Sequence, residues 1–344
     1  MAIAVKTKDS TKILWGEQAT FGTNLASTAD YNGTAPEWGE ILDVELVSPD
    51  FGINIREPNR SNVGSRVKVN ANYQHDLKGS SAKFVATGDA KKATLASMLY
   101  AVVQNNSEAV GTPYEKTYTF SSTQPDFTAN GGWFGTLAIV HANSSEVLKI
   151  KDMICSELVL TCNPNDGQGR MQMVANLIGR GGAQFESSTE SGTDVTPHAR
   201  YAQTFYHFHD LKTCTVNGDA IVPLGVTIRI RNNAVPIGTN NSGDFLTYAL
   251  TEYECGVQIR GHWDTLSWPY QGGATAVTAL VPIVLTWGTD NNDGYLNFTI
   301  YGQPLPSPDT YDPVKGIELN FKTLNNGTDT PFTCVLADLI DRGW

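Results

Sequence analysis

The sequence predicts a mainly β protein in which one domain occurs twice. Three observations carry that expectation. Segments with strand patterning dominate the 344 residues. Charged residues make up 17%, and the polarity comes instead from Asn, Thr, Ser and Gly, which suit turns and β surfaces. The phrase "ANLIGRGG" at 175–182 returns as "ADLIDRGW" at 337–344, so one strand ending recurs about half a chain later.

The elements follow in order. Strand signals run over 41–55, 65–74, 82–88, 115–122, 133–142, 155–162 and 170–179. One helix interrupts them at 89–103. Asp89 is placed to cap it. Leu95, Met98, Leu99, Val102 and Val103 then fall at i, i+3, i+4, i+7 and i+8, one apolar stripe facing a sheet. The stretch 181–200 is rich in Ser, Thr and Gly and reads as a linker or extended arm.

The second half restarts the order. Residues 224–237 match 42–55, 254–263 match 64–73, and 295–302 match 114–121. Residues 316–340 match 156–178, each a strand, an Asn/Gly/Asp turn and a strand, which reads as a hairpin. Residues 271–285 stand where a second helix belongs, but their Val and Thr content and Pro282 leave helix and strand both open. The expected boundaries are a first domain over 1–185, a linker over 186–199 and a second domain over 200–344.

Composition excludes several classes. A net charge of −11 argues against a nucleic-acid binder, which needs Lys and Arg to displace phosphate counterions. The opening "MAIAVKTKDS" has too short an apolar run for a signal peptide. The longest apolar run, 278–287, is too short to span a bilayer. A soluble protein made in the cytoplasm is therefore expected. Cys155, Cys162, Cys214, Cys255 and Cys334 are odd in number and form no C-x-x-C pair, which reads as buried free thiols.

The candidate chemistry is thin. His207 and His209, with Asp210, would share a strand face as a metal pair, yet no second cluster completes a ligand set. His75, Asp76 and the serines at 80 and 81 lie close in sequence, but no G-x-S-x-G turn exposes a nucleophile. "GQGR" at 167–170 lacks the Lys-Ser/Thr of a phosphate loop and reads as a turn. No two carboxylates are singled out as a glycosidase pair. The expectation is a protein that is not an enzyme, with no catalytic residue, cofactor or metal. The stretch "NIREPNRSNVGSR" at 54–66 differs, because it is long, poor in apolar residues and carries Arg56, Arg60 and Arg66. It reads either as a solvated loop or as a projection that docks on an acidic neighbouring subunit.

The segment "ILWGEQATFGT" at 13–23 resembles the opening of tail tube proteins of long-tailed, siphovirus-type bacteriophages. The later order is similar too: a long loop after the first strands, one amphipathic helix, and an Asn/Gly hairpin leading into "IGRG". The resemblance implies a β-sandwich or β-barrel domain with a flanking α-helix, an N-terminal arm and a long loop. It also implies stacked rings of six domains around a channel for DNA ejection. Two tandem domains per chain then imply three chains per ring. The implied partners are further copies of the chain, other tail proteins (terminator, baseplate, tape measure) and passing double-stranded DNA that is not specifically bound, with no membrane. The implied location is the virion tail, after assembly in the host cytoplasm. The candidate inter-subunit contacts are Arg56, Glu57, Pro58, Asn59, Arg60 and Arg66, with Trp15 and Phe21. A net acidic channel wall is expected, since a basic one would hold DNA at roughly 10⁻⁴–10⁻⁶ M and brake it. Two other readings remain: a decoration, baseplate or fibre-linked virion protein, and a carbohydrate-active β-sandwich protein.

Overall fold

The computed structural model describes residues 11–18, 20–23, 38–40, 44–50, 54–56, 74–76, 81–109, 114–141, 146–165, 167–181, 184–187, 205–238, 245–261, 270, 279–289, 294–305, 317–323 and 330–338. Within them the chain is mainly β, with one α-helix. The first half supplies β1 (Thr11–Glu17), β2 (Trp38–Glu40), β3 (Val44–Asp50), β4 (Asn54–Arg56), β5 (Gln74–Asp76) and β6 (Ser81–Asp89). Then come α1 (Lys92–Val103), β7 (Asn106–Ala109), β8 (Tyr114–Thr119), β9 (Gly135–His141), β10 (Glu146–Cys162), β11 (Gln172–Arg180) and β12 (Gln184–Ser187). The second half supplies β13 (Leu211–Val216), β14 (Asp219–Ala220), β15 (Pro223–Arg231), β16 (Ala234–Ile237), β17 (Thr247–Leu250) and β18 (Glu254–Gly261). It ends with β19 (Val281–Trp287), β20 (Leu296–Leu305), β21 (Ile317–Thr323) and β22 (Phe332–Asp338).

Every described ladder is antiparallel. In the first half β1 pairs with β2 and β9, β9 with β10, and β10 with β11 and β12. There β6 pairs with β3 and β11, and β4 with β5. In the second half β13 pairs with β14 and β19, β19 with β20, and β20 with β21 and β22. There β18 pairs with β15 and β21, and β16 with β17. Strand for strand, eight of the nine described ladders of the first half recur in the second in the same chain order, and the ninth, β7–β8, has no described counterpart. The insertion of α1, β7 and β8 lies between β6 and β9. In the corresponding place, 262–278, only residue 270 is described.

Two ladders cross between the halves. Residues 157–162 of β10 pair with 231–226 of β15. Thr333–Asp338 of β22 pair with Thr119–Tyr114 of β8. The central strands therefore run without a break as β3-β6-β11-β10-β15-β18-β21. Alternation along them is regular. Ala82, Phe84 and Ala86 point inward, as do Met173, Ala175 and Leu177, Leu158 and Leu160, Ile228 and Ile230, Val257 and Ile259, and Leu319 and Phe321. These residues join Leu285, Phe298, Phe332 and Leu336 in one buried cluster that spans both halves.

Helix α1 is rich in Ala, Leu and Met, which favour a helix. Leu95, Met98, Leu99, Val102 and Val103 are fully buried, as the stripe predicts, and Ala96 and Ala101 are buried with them. The helix packs on β10, β15 and β8. It ends where Gln104 turns left-handed (φ 64°), its N–H donating to Tyr100 O at 2.9 Å.

Several expectations change. Asp89 does not cap α1. It ends β6, where Oδ2 accepts from Arg170 at 3.1 Å and Oδ1 from Gln172 at 2.5 Å, and Lys91 stands at the N-cap, its side chain making no capping bond to the helix. Part of the stretch 181–200 read as linker or arm, Gln184–Ser187, is strand, because it pairs with β10. The 156–178 hairpin forms as β10 and β11. The 316–340 segment is not a hairpin of its own: β21 pairs with β18 and β20, while β22 pairs with β20 and β8. The recurring phrase consequently lies on strands that do not correspond. Residues 175–180 are in β11, whose counterpart is β21, whereas 337–338 close β22. Residues 281–285 are strand, with Pro282 tolerated in β19, and 271–278 lie outside the described residues. Of the predicted strand 65–74, only residue 74 is described.

Candidate assembly surface

The joint between the halves is built around one strand. β10 is long enough to serve two sheets, and it bends at Asp152, which has φ +56°. Upstream of the bend β10 pairs with β9 and β12, the β9 ladder shifting register across it to end at Met153, and downstream it pairs with β11 and β15. A non-glycine residue in this conformation needs its surroundings to hold it. Asp152 is fully buried and is held on all sides. Its N–H donates to Gln18 Oε1 at 2.7 Å. Its Oδ1 accepts from Gln18 Nε2 at 2.9 Å and from Gly22 N at 2.7 Å, and its Oδ2 accepts from Arg180 Nε at 2.6 Å. The carboxylate therefore ties the segment after β1 and the end of β11 to the bend.

The second half reaches this same point with an arm, the β16–β17 hairpin. Tyr248 Oη donates to Asp152 O at 2.6 Å and Ile178 O at 3.1 Å. Burial raises the Tyr248 hydroxyl pKa well above its ordinary value, and the Asp152 charge adds to that, so it stays a donor. Phe245 and Tyr248 are buried among Phe127, Phe134 and Ile154 of the first half. The Arg180 guanidinium lies 5.2 Å from the ring centres of both Phe21 and Phe245. Gln124 Nε2 donates to Tyr248 O and Gln124 Oε1 accepts from Leu250 N, both at 3.0 Å, as an added strand would. Phe127 is presented by a 3-10 turn capped by Asp126. The Asp126 carboxyl is lowered first by the Thr128 hydroxyl bond and also by the Ala129 and Thr128 N–H groups. On the arm's outer side Val235, Ile237 and Leu246 are 50%, 45% and 48% exposed.

The outward face of the central strands is polar. Glu157 on β10 accepts from Arg229 and Arg231 of β15, and from Asn176 of β11 at 2.8 Å. Gln258 bonds Glu318 at 2.7 Å, and Lys322 lies 3.5 Å from Glu254.

The sequence-predicted contact residues fall in different places. Trp15 lies in the core, 2% exposed and stacked on Trp133 at 5.1 Å. Phe21 lines the arm's seat, edge-on to Phe134 at 5.2 Å. Arg56 closes β4, and Glu57, Pro58, Asn59, Arg60 and Arg66 lie outside the described residues. Gln124, Asp152, Arg180, Phe245 and Tyr248 were missed. The two aromatics three apart in a Gly/Asn-rich hairpin were the available signal, whereas the bend at Asp152 leaves no trace in composition.

The remaining candidate residues sit in turns and in the core. Phe208–Asp210 form a 3-10 turn, so His207 and His209 do not share a strand face. Among the described residues no group of three metal-ligating side chains converges. Residues 167–169 are a tight turn with Gln168 and Gly169 at positive φ, as read from the sequence. All five cysteines are buried and free. Burial pushes the Cys162 thiol up to about 11 and those of Cys214 and Cys255 up to about 12, so these groups pack as small apolar side chains. No helix among the described residues is long and apolar enough to cross a membrane. No protein-family model and no curated protein matches this chain.

Proposed function

We propose that the chain is a structural subunit that polymerises with itself into stacked rings around a channel, as tail tube proteins of long-tailed phages do. The observation that carries this reading is the joint. Two sheets with the same ladder order already sit edge to edge within one chain, through β10–β15 and β8–β22. A subunit built this way is suited to repeat the same contact with its neighbours, and cyclic repetition removes open sheet edges. Two tandem tail-tube-like units per chain give six per ring from three chains. The net charge of −11 suits a conduit that DNA passes without sticking. The loop with Arg56, Arg60 and Arg66 and the N-terminal arm then serve contacts between rings.

Electron microscopy of the purified protein tests the reading. Long hollow tubes with three chains per ring are expected, and deleting 56–64 is expected to leave folded rings that no longer stack. Discrete particles under all conditions would refute a tube. Six chains per ring would refute the stoichiometry alone.

A further inference from the structure

In the second half, two features are satisfied by the first half. The free edge of β15, the one not facing β18, is paired by β10. The β16–β17 arm is seated against Phe127, Phe134 and Ile154 and clamped by Gln124. In the first half, the counterparts of these features are β3 and the β4–β5 hairpin. Among the described residues β3 is paired along one edge alone, by β6, and β4 and β5 pair only with each other. Among the described residues there is therefore one filled joint and the receiving side of a second. The two features are contiguous, since β3 leads directly into β4.

We propose that this receiving side is filled by the second half of another copy of the chain, with the downstream end of β20 laid antiparallel along β3. β20 is the counterpart of β10, and it continues past the end of β19 as β10 continues past β9. A contact that joins second half to first half is head-to-tail. It propagates from copy to copy until it closes into a ring. The partner comes from the assembly reading above, and the surface comes from the ladders.

The second joint is the weaker of the two. Pro304 pairs with Phe321 within the β20–β21 ladder. Proline has no N–H, so the ladder's bonds to β21 fall on Gln303 and Leu305, and the Pro304 nitrogen faces the edge offered to β3. Over residues 303–305 the edge offered to β3 therefore lacks one N–H donor. Chains accordingly fold with the internal joint closed and associate through the external one afterwards.

Disulfide trapping tests this. One preparation carries Leu305→Cys, and others carry Val47→Cys, Ser48→Cys or Asp50→Cys. Facing residues of an antiparallel pair lie about 4.5–5.5 Å apart at Cα, within disulfide reach. The native cysteines are buried and contribute little background. Mixing Leu305→Cys with a β3 variant under oxidation is expected to give a covalent dimer of two 37.3 kDa chains for at least one partner, and neither preparation alone should give it. Two results would overturn the proposal: linkage that forms only inside a chain carrying both substitutions, or assembly with no cross-link at any of the three positions. Sedimentation of the unaltered protein serves as a check independent of the variants, since a monomer at every concentration also overturns it. Cross-linked rings that never stack would sink the tube and leave this contact standing. Tubes without the cross-link would do the reverse.

Discussion

Single residues decide the joint. Asp152 is buried against Arg180, whose side chain is 7% exposed, and its backbone conformation suits few residues other than glycine. Asp152→Ala takes the carboxylate away from a buried guanidinium and is expected to cost about 3–5 kcal/mol, read as a fall in the urea midpoint. Glu17 makes a different prediction. Burial raises its carboxyl pKa above 4.5, with Lys116 acting in the opposite direction. The folded state thus holds that proton more tightly than the unfolded chain. Its contribution to stability is full below pH 4.5 and is lost as pH rises through the folded value. Glu17→Gln should flatten that part of the stability profile, and an unchanged slope in urea melts across the range would show that another group sets it.

At the scale of elements, legibility followed local pattern. The stripe of α1 and the alternation of β6, β11, β15 and β18 were visible because each buries one face. Pairing was not visible, since any strand offers the same backbone groups to any partner. Residues 316–340 looked like a hairpin because a turn signal separates two strands, yet both strands take partners far away in sequence. The recurring phrase misled for a related reason: two strand ends of similar polarity can sit in different ladders. The match of 42–55 to 224–237 did fall on counterparts, β3–β4 and β15–β16, because a strand, a short turn and an arm form a longer pattern. The arm's seat was illegible, as it is assembled from residues far apart in the chain, among them Phe21, Phe127, Ile154 and Ile178. One close contact there is testable. Gly179 on β11 leaves no room for a Cβ, which would overlap Met153 Sδ beside the bend. Gly179→Ala should cost about 1–3 kcal/mol through overpacking, measured by thermal melting, and a neutral result would mean that Met153 can swing away.

At the scale of the whole molecule, the two strand ends that meet in the β8–β22 ladder come from different halves of the chain. Thr119 of β8 faces Thr333 of β22, a separation of 214 positions. Protein synthesis delivers those ends at different times. At about 5–20 residues per second, roughly 10–40 s pass between the emergence of β8 and that of its partner. Through that interval one edge of β8 has only solvent, or another nascent chain, to meet. Polysomes place such chains side by side, so premature pairing competes with completion. Slower elongation over the second half should therefore lower the yield of correctly closed subunit, whereas slower elongation over the first hundred residues should not. Pulse-labelled yield with rare codons placed in one region or the other measures the difference, and equal losses from both would show that β8 is shielded as it emerges.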